Sequence, residues 1–240
     1  MGTFIQMVKN IKRGVSQIVF PNVCVCCGRE NTQEERQICS FCLEKRFEDA
    51  NPANHRVSSD TLLPEGVLVQ HALWKFDKGG SLQNLLHQLK YEYLTTIGVD
   101  LGRKLGHRVK KHPILNKVLN DKEVVILPVP LHYLKYRFRG FNQAFKVAKG
   151  FREVWKHIPI CGIKDVARTK NTHTQTGFSL ERRRQNIKEA FRVNNEEAVA
   201  EKHVVIIDDV FTTGATTFEL AQTIQKANSG PVVILTIAQA

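Results

Sequence analysis

Nowhere in this 240-residue chain do apolar residues run on for the ~20 positions that a membrane-spanning helix requires, so no helical span is expected. The G-x-x-x-x-G-K-[ST] pattern of a P-loop is also missing, which excludes that phosphate-binding design. No internal repeat and no low-complexity tract occurs, so neither a solenoid nor a disordered array is expected. The opening "MGTFIQMVKNIKRGVSQIVF" lacks the charged, apolar and cleavage regions of a signal peptide. It places Phe4, Val8, Ile11, Val15 and Ile18 on one helical face and Lys9, Lys12 and Arg13 on the other. A cytoplasmic chain with a helix packed on its own protein is the expectation. Acid is the scarce charge: 23 Asp and Glu face 35 Lys and Arg, a formal +12. That excess favours anionic partners such as phosphates, nucleotides or nucleic acid.

The length suits one α/β domain with a core of its own plus a small appendage. The appendage is marked by cysteine. Cys24 and Cys27 form one C-x-x-C, Cys39 and Cys42 form another, and "GRENTQEERQI" lies between them. Two such pairs present four thiolates to a tetrahedral Zn²⁺, and Gly28 relieves the tight turn of the first knuckle. Two disulfides are the competing arrangement, against which the missing export signal weighs. Cys26 reads as a bystander able to substitute for a neighbouring ligand, Cys161 as a buried thiol, and His55 and His71 as spare ligands. A zinc site would order a segment too small for a core.

The stretch from 51 to 64, "NPANHRVSSDTLLP", reads as a linker, which divides the chain into residues 1–60 and 61–240. A strand is expected over 67–76. A helix follows with Leu82, Leu85, Leu86 and Leu89 in its stripe and Ser81 as N-cap, then a second over 96–110. "EVVILPVP" reads as a strand buried on both faces, followed by a basic loop and a helix carrying Ala144, Ala148, Phe151 and Trp155. "HVVIID" is another buried strand, "TTFELAQTIQKA" a helix and "PVVILTIA" a closing strand. Strands alternating with helices predict a parallel sheet with helices on its faces.

The most informative stretch is "VVIIDDVFTTGATTFELAQTI", residues 204–224. It puts Asp208 and Asp209 at the carboxyl end of a central strand, where open α/β sheets bind ligands. Backbone N–H groups entering the next helix, a close approach at Gly214 and the hydroxyls of Thr212, Thr213 and Thr216 make a receptor for a phosphate dianion. Carboxylates accept hydrogen bonds from paired hydroxyls, and phosphate plus diol describes a ribose 5-phosphate.

"VVIIDDVFTTGAT" resembles the phosphoribosyl-pyrophosphate signature of type I phosphoribosyltransferases. Together with "PVPLHYLKYRFRGFNQA", "ARTKNTHTQTGFSLERRRQNIKEAF" and the two C-x-x-C pairs, the chain resembles the ComF family over roughly residues 20–237. It departs from the family's usual pattern at Lys90-Tyr91-Glu92-Tyr93 and at Phe178. The resemblance implies a type I phosphoribosyltransferase-like sheet joined to a zinc segment, phosphoribosyl pyrophosphate with Mg²⁺ as ligand, and a part in DNA uptake beside competence machinery proteins. It implies that Asp208 and Asp209 hold the ribose hydroxyls and that Thr212, Thr213, Gly214, Ala215 and Thr216 cradle the 5-phosphate. A pyrophosphate loop should follow Leu127 at Pro128-Val129-Pro130-Leu131, with its charge supplied by Arg137, Arg139 or the segment starting at Arg168. That segment suits a mobile hood, and Arg183 and Asn186 match family positions without a role assigned to them. Whether turnover occurs stays open. The rival reading is a binding module for single-stranded DNA or nucleotide, in which Tyr133, Tyr136, Phe138 and Phe141 alternate with Lys135, Arg137 and Arg139 to stack bases and pair phosphates.

Overall fold

The computed structural model of the chain describes residues 22–31, 36–50, 63–121, 123–171 and 187–240. The first helix, most of the linker, the boundary between residues 60 and 61, and the hood from 172 to 186 lie outside the described residues. In chain order the elements are α1 (Ser40–Lys45), β1 (Val67–Lys75), α2 (Ser81–Tyr91), α3 (Thr95–Lys111), α4 (Pro113–Asp121), β2 (Val124–Pro128), α5 (Tyr133–Arg139), α6 (Gln143–Val154), β3 (Val166–Arg168), β4 (Phe191–Val193), β5 (His203–Phe211), α7 (Ala215–Gln225) and β6 (Val232–Gln239).

Apolar runs without polar alternation need cover on both faces, and the main sheet is built from four of them. Its order is β1-β6-β5-β2, every pair parallel. The pleat sends alternate residues to opposite sides. Val205 and Ile207 of β5 face the layer of α2, α3, α4 and α6 together with Val124, Ile126, Val233 and Leu235. Val204 and Ile206 face α7 together with Val125, Leu127, Val232 and Ile234. The expected parallel sheet flanked by helices is therefore present.

Helices α3 and α6 touch backbone to backbone. A Cβ at Gly102 would sit 1.9 Å from the Val147 carbonyl oxygen, and one at Gly150 would sit 1.9 Å from that of Val99. Main-chain atoms cannot step aside, so no side chain fits at either place.

Four local expectations change. The N-cap of α2 is Gly80 rather than Ser81, because both carboxylate oxygens of Asp77 take the first amides, from Leu82 (3.0 Å) and Gln83 (2.9 Å). The basic loop after β2 is largely the helix α5, capped by the His132 side chain and stopped at Gly140. Strand β5 runs four residues beyond Ile207, paired with β6 as far as Phe211 against Gln239. Helix α4 and the antiparallel pair β3–β4 were not expected at all. No helix among the described residues is long and apolar enough to cross a membrane.

Candidate functional site

The site starts where β2 stops. Pro128 pairs with Ile207, and the Val129 amide donates to the Ile207 carbonyl at 2.9 Å. Beyond that point β5 has a strand neighbour only on its β6 side, so the segment from Asp208 borders an opening in the sheet. The pleat sends the two acids apart. Asp209 continues the row of Val205 and Ile207 and meets Lys90 at the end of α2, Nζ to Oδ2 2.5 Å. Asp208 continues the row of Val204 and Ile206, and its charge acts on Arg168 of β3. Each acid also ties its neighbour: Asp208 Oδ1 accepts from the Asp209 amide and Asp209 Oδ1 from the Val210 amide, both at 2.9 Å.

Their acidities diverge for the same reason. Withdrawal from water, then the Asp209 charge, pushes Asp208 up to about 8. Burial acts on Asp209 in the same direction, but the Lys90 ammonium outweighs it and holds that carboxyl below its usual value. One acid of the pair is thus kept ionised while the other titrates near neutrality, a separation typical of working sites.

The turn after β5 is built to leave amides unused. Gly214 is the N-cap of α7 with φ 74°, and a Cβ there would lie 2.4 Å from the Phe218 ring. Both facts require glycine. Thr213 Oγ1 accepts from the Ala215 amide at 3.4 Å, and the Thr217 hydroxyl donates to the Gly214 carbonyl at 3.1 Å. Among the described residues, no acceptor takes the backbone N–H groups of Thr212, Thr213, Gly214, Thr216 or Thr217. These are the open donors of a helix start, and they favour an anion.

Cations surround the acids. Besides Lys90, Arg168 stands near Asp208, and Arg139 is close enough to act on both Lys90 and Lys135. The guanidinium of Arg139 is placed by Gln143 Oε1 at 2.5 Å and by the Tyr91 ring at 5.4 Å. Arg137 turns back along α5 onto Tyr133, hydrogen-bonding its hydroxyl at 2.9 Å. The segment Pro128 to Leu131 is buried. Two of its residues are prolines and the Val129 amide is already used, so any anion there depends on the neighbouring cations.

The second constellation is the cysteine cluster. The sulfurs of Cys24, Cys27, Cys39 and Cys42 all lie within 4.8 Å of one another. Cys27 and Cys39 are 3.8 Å apart, the edge of a tetrahedron with bonds of about 2.3 Å, the Zn–S length. The Cys39 amide donates to Cys24 Sγ at 3.2 Å, a hydrogen bond that orients a ligand thiolate. These four residues can hold a metal ion such as zinc; Cys26 is outside the cluster, and Cys161 is buried. The segment is anchored on α3, where the buried carboxylate of Asp100 accepts from the amides of Gln37 (2.8 Å) and Ile38 (3.2 Å). Lys104 pairs with Glu44 and Arg108 with Asp49, and Cys24, Ile38, Cys42 and Leu43 join the apolar cluster of the sheet.

Among the residues named from sequence, the fold gathers Asp208, Asp209, Arg139, Arg168 and the turn from Thr212 to Thr216 at the same end of the sheet. Arg137 is directed along its own helix, and His71 sits beside His112 instead of the cysteines. Lys90 was missed as a site residue. Its signal was present as the polar end of a leucine-striped helix, but only the tertiary fold shows which acid it meets.

No family model matches the chain. DNA utilization protein YhgH of Shigella flexneri is 30% identical over 220 residues, covering 88% of each chain. Competence protein F of Haemophilus influenzae is 34% identical over 116 residues, 48% of this chain and 50% of the relative. Among solved structures, the glutamine phosphoribosylpyrophosphate amidotransferase of B. subtilis complexed with ADP and GMP aligns with 58% of this chain and 26% of its own at a TM-score of 0.37 and 16% identity. Similarity covering 88% of the sequence, on a parallel sheet joined to a four-cysteine cluster, establishes this chain as a member of the ComF family.

Proposed function

We propose that the opening beside β5 binds a ribose 5-phosphate group, with phosphoribosyl pyrophosphate and Mg²⁺ as the ligand pair, in a cytoplasmic protein that serves DNA uptake. The observation that carries this reading is the turn after Asp209, where the amides of Thr212, Thr213, Gly214, Thr216 and Thr217 have no acceptor among the described residues while a carboxylate pair stands beside them. In it the 5-phosphate sits on Thr212, Thr213, Gly214, Ala215 and Thr216. Asp208 and Asp209 accept from the 2′- and 3′-hydroxyls, with Asp209 held in place by Lys90. Arg139 and Arg168 face the pyrophosphate, and Arg137 joins them only by swinging away from Tyr133. Mg²⁺, when bound, neutralises charge on the departing pyrophosphate. Positioning and charge are then what this chain contributes to transfer of the ribosyl group to an acceptor. Zinc is the metal that fits the cysteine cluster, in a structural role. Relatives named for competence and for DNA utilization support the physiological setting.

Calorimetry tests the core of the reading. Titration with phosphoribosyl pyrophosphate should give saturable binding in the presence of Mg²⁺ and far weaker binding with EDTA. Absence of heat at millimolar ligand would overturn it.

A second reading, recognition of single-stranded DNA without turnover, is favoured by α5. This helix has no buried residue, and Phe138 on it is 81% exposed near Tyr133 and Tyr136. Exposed aromatics beside arginines stack bases at about 1–3 kcal/mol each. Phe138→Ala combined with Arg137→Ala should therefore weaken oligothymidylate binding at least tenfold in fluorescence anisotropy. Equal affinity for parent and variant counts against DNA contact at α5.

A further inference from the structure

A second basic surface lies away from β5, where the later turns of α3 meet the end of α6. It is an open, shallow cleft of about 550 Å³ lined by Arg103, His107, Lys110, Glu153, Val154, Lys156 and His157. Acid is short here because it is already committed. Glu153 pairs with Arg103, Glu44 with Lys104 and Asp49 with Arg108. Among the described residues His107, Lys110, Lys156 and His157 have no acidic partner within 4.0 Å.

Two features separate this cleft from an ordinary solvated face. The neighbouring indole of Trp155 is a rigid anchor: fully buried, it donates to the Gly106 carbonyl at 3.2 Å. Lys110 lies 5.5 Å from its ring centre and the His157 ring 5.9 Å, edge-on, so these two side chains are placed rather than free to wander. The helix dipole accounts for only part of the charge, since a helix end carries roughly half a negative charge. Burial holds the His107 imidazole below its usual value, and the charges of Lys110, Arg36, Lys111 and Lys104 act in the same direction.

We propose that this cleft is a phosphate-binding site, distinct from the opening beside β5, for an anion carrying at least two phosphates. Lys110 and Lys156 supply the charge, and His107 and His157 supply directed hydrogen bonds. Two sources share that chemistry: the backbone of a single nucleic-acid strand and a free polyphosphate.

The test uses the full chain with two probes, a fluorescein-labelled dT12 oligonucleotide and inorganic tripolyphosphate. It compares Lys110→Glu with Lys156→Glu against a control double variant, Lys164→Glu with Lys226→Glu, which alters net charge equally elsewhere. The cleft variant should lose at least tenfold in affinity for one or both probes while the control loses less than threefold. If the oligonucleotide is the ligand, its salt dependence should also flatten, by about 1.4 in log–log slope for two lost contacts. Loss for dT12 alone identifies a strand; loss for tripolyphosphate alone identifies a free polyphosphate. Lys110→Gln with Lys156→Gln repeats the comparison without adding acid. Equal losses in cleft and control variants, or no binding of either probe by the parent, overturn the proposal. Binding of phosphoribosyl pyrophosphate with Mg²⁺ should survive in the cleft variant, so the two sites stand or fall separately.

Discussion

Cys39→Ser together with Cys42→Ser should release the metal completely and unfold the segment that carries it. Structural zinc contributes on the order of 10–16 kcal/mol to small zinc modules, and two ligands of four cannot keep it. Besides its cysteines that segment has a six-residue helix, a few apolar contacts, two ion pairs to α3 and the amide bonds to Asp100, too little for independent order. The damage should spread into the main sheet. Cys24, Ile38 and Cys42 are part of its apolar cluster, and Asp100, 1% exposed, would lose the Gln37 and Ile38 amides that satisfy its carboxylate. Arg103 would still hold Oδ1, but a buried Oδ2 deprived of both its donors is costly. Metal analysis should find one zinc per parent chain and none in the variant, and thermal unfolding should begin at a much lower temperature. A variant that keeps its zinc, or melts with the parent, would refute the structural role.

Asp208→Asn should weaken ribose-phosphate binding and stabilise the protein at alkaline pH. Measured at pH 9, above the Asp208 value of about 8, the loss follows from replacing a charged acceptor, about 1.5–3 kcal/mol or roughly 10- to 150-fold in affinity. The gain follows from linkage. An unfolded Asp titrates near ~3.9, whereas folding pushes Asp208 up to about 8. Between those values the folded state retains a proton that the unfolded chain gives up. The contribution of Asp208 is therefore full below pH ~4 and is lost as pH rises through about 8. Asparagine has no such proton to lose. Urea denaturation should accordingly find the variant more stable than the parent at pH 9 and little different at pH 5. Lys90→Met should do the reverse, since it strands the Asp209 charge, whose side chain is 8% exposed. Breaking a buried pair costs about 3–5 kcal/mol, and the 26% exposure of Lys90 places this case at the lower end. Parallel pH profiles for Asp208→Asn and parent would show that Asp208 is not held protonated by the fold.

What was legible beforehand depended on physics acting over a few residues. Val204 to Ile207 could only be a doubly covered strand, Leu82 to Leu89 only a helix stripe, and the cysteine spacing pointed to four converging sulfurs. The turn from Thr212 to Thr216 belongs with these, because glycine and hydroxyls between a strand and a helix have few other uses. Less legible were the short elements. The residues of β3 and β4 are three each and carry no period, and α5 buries nothing, so no apolar stripe distinguished it from a loop.

By itself, then, the sequence determined the doubly covered strands, the helix stripes, the spacing of the four converging cysteines and the glycine–threonine turn into a helix, since each is a local agreement between residue type and backbone. Tertiary structure alone decided the partners. That Asp209 meets Lys90 across 119 positions, that the charge of Asp208 acts on Arg168, and that α3 offers one side to the cysteines and another to a basic cleft follow from sheet order and helix packing. The reason is physical: a pleat separates adjacent side chains to opposite faces, and what waits on each face is set by elements distant in the chain.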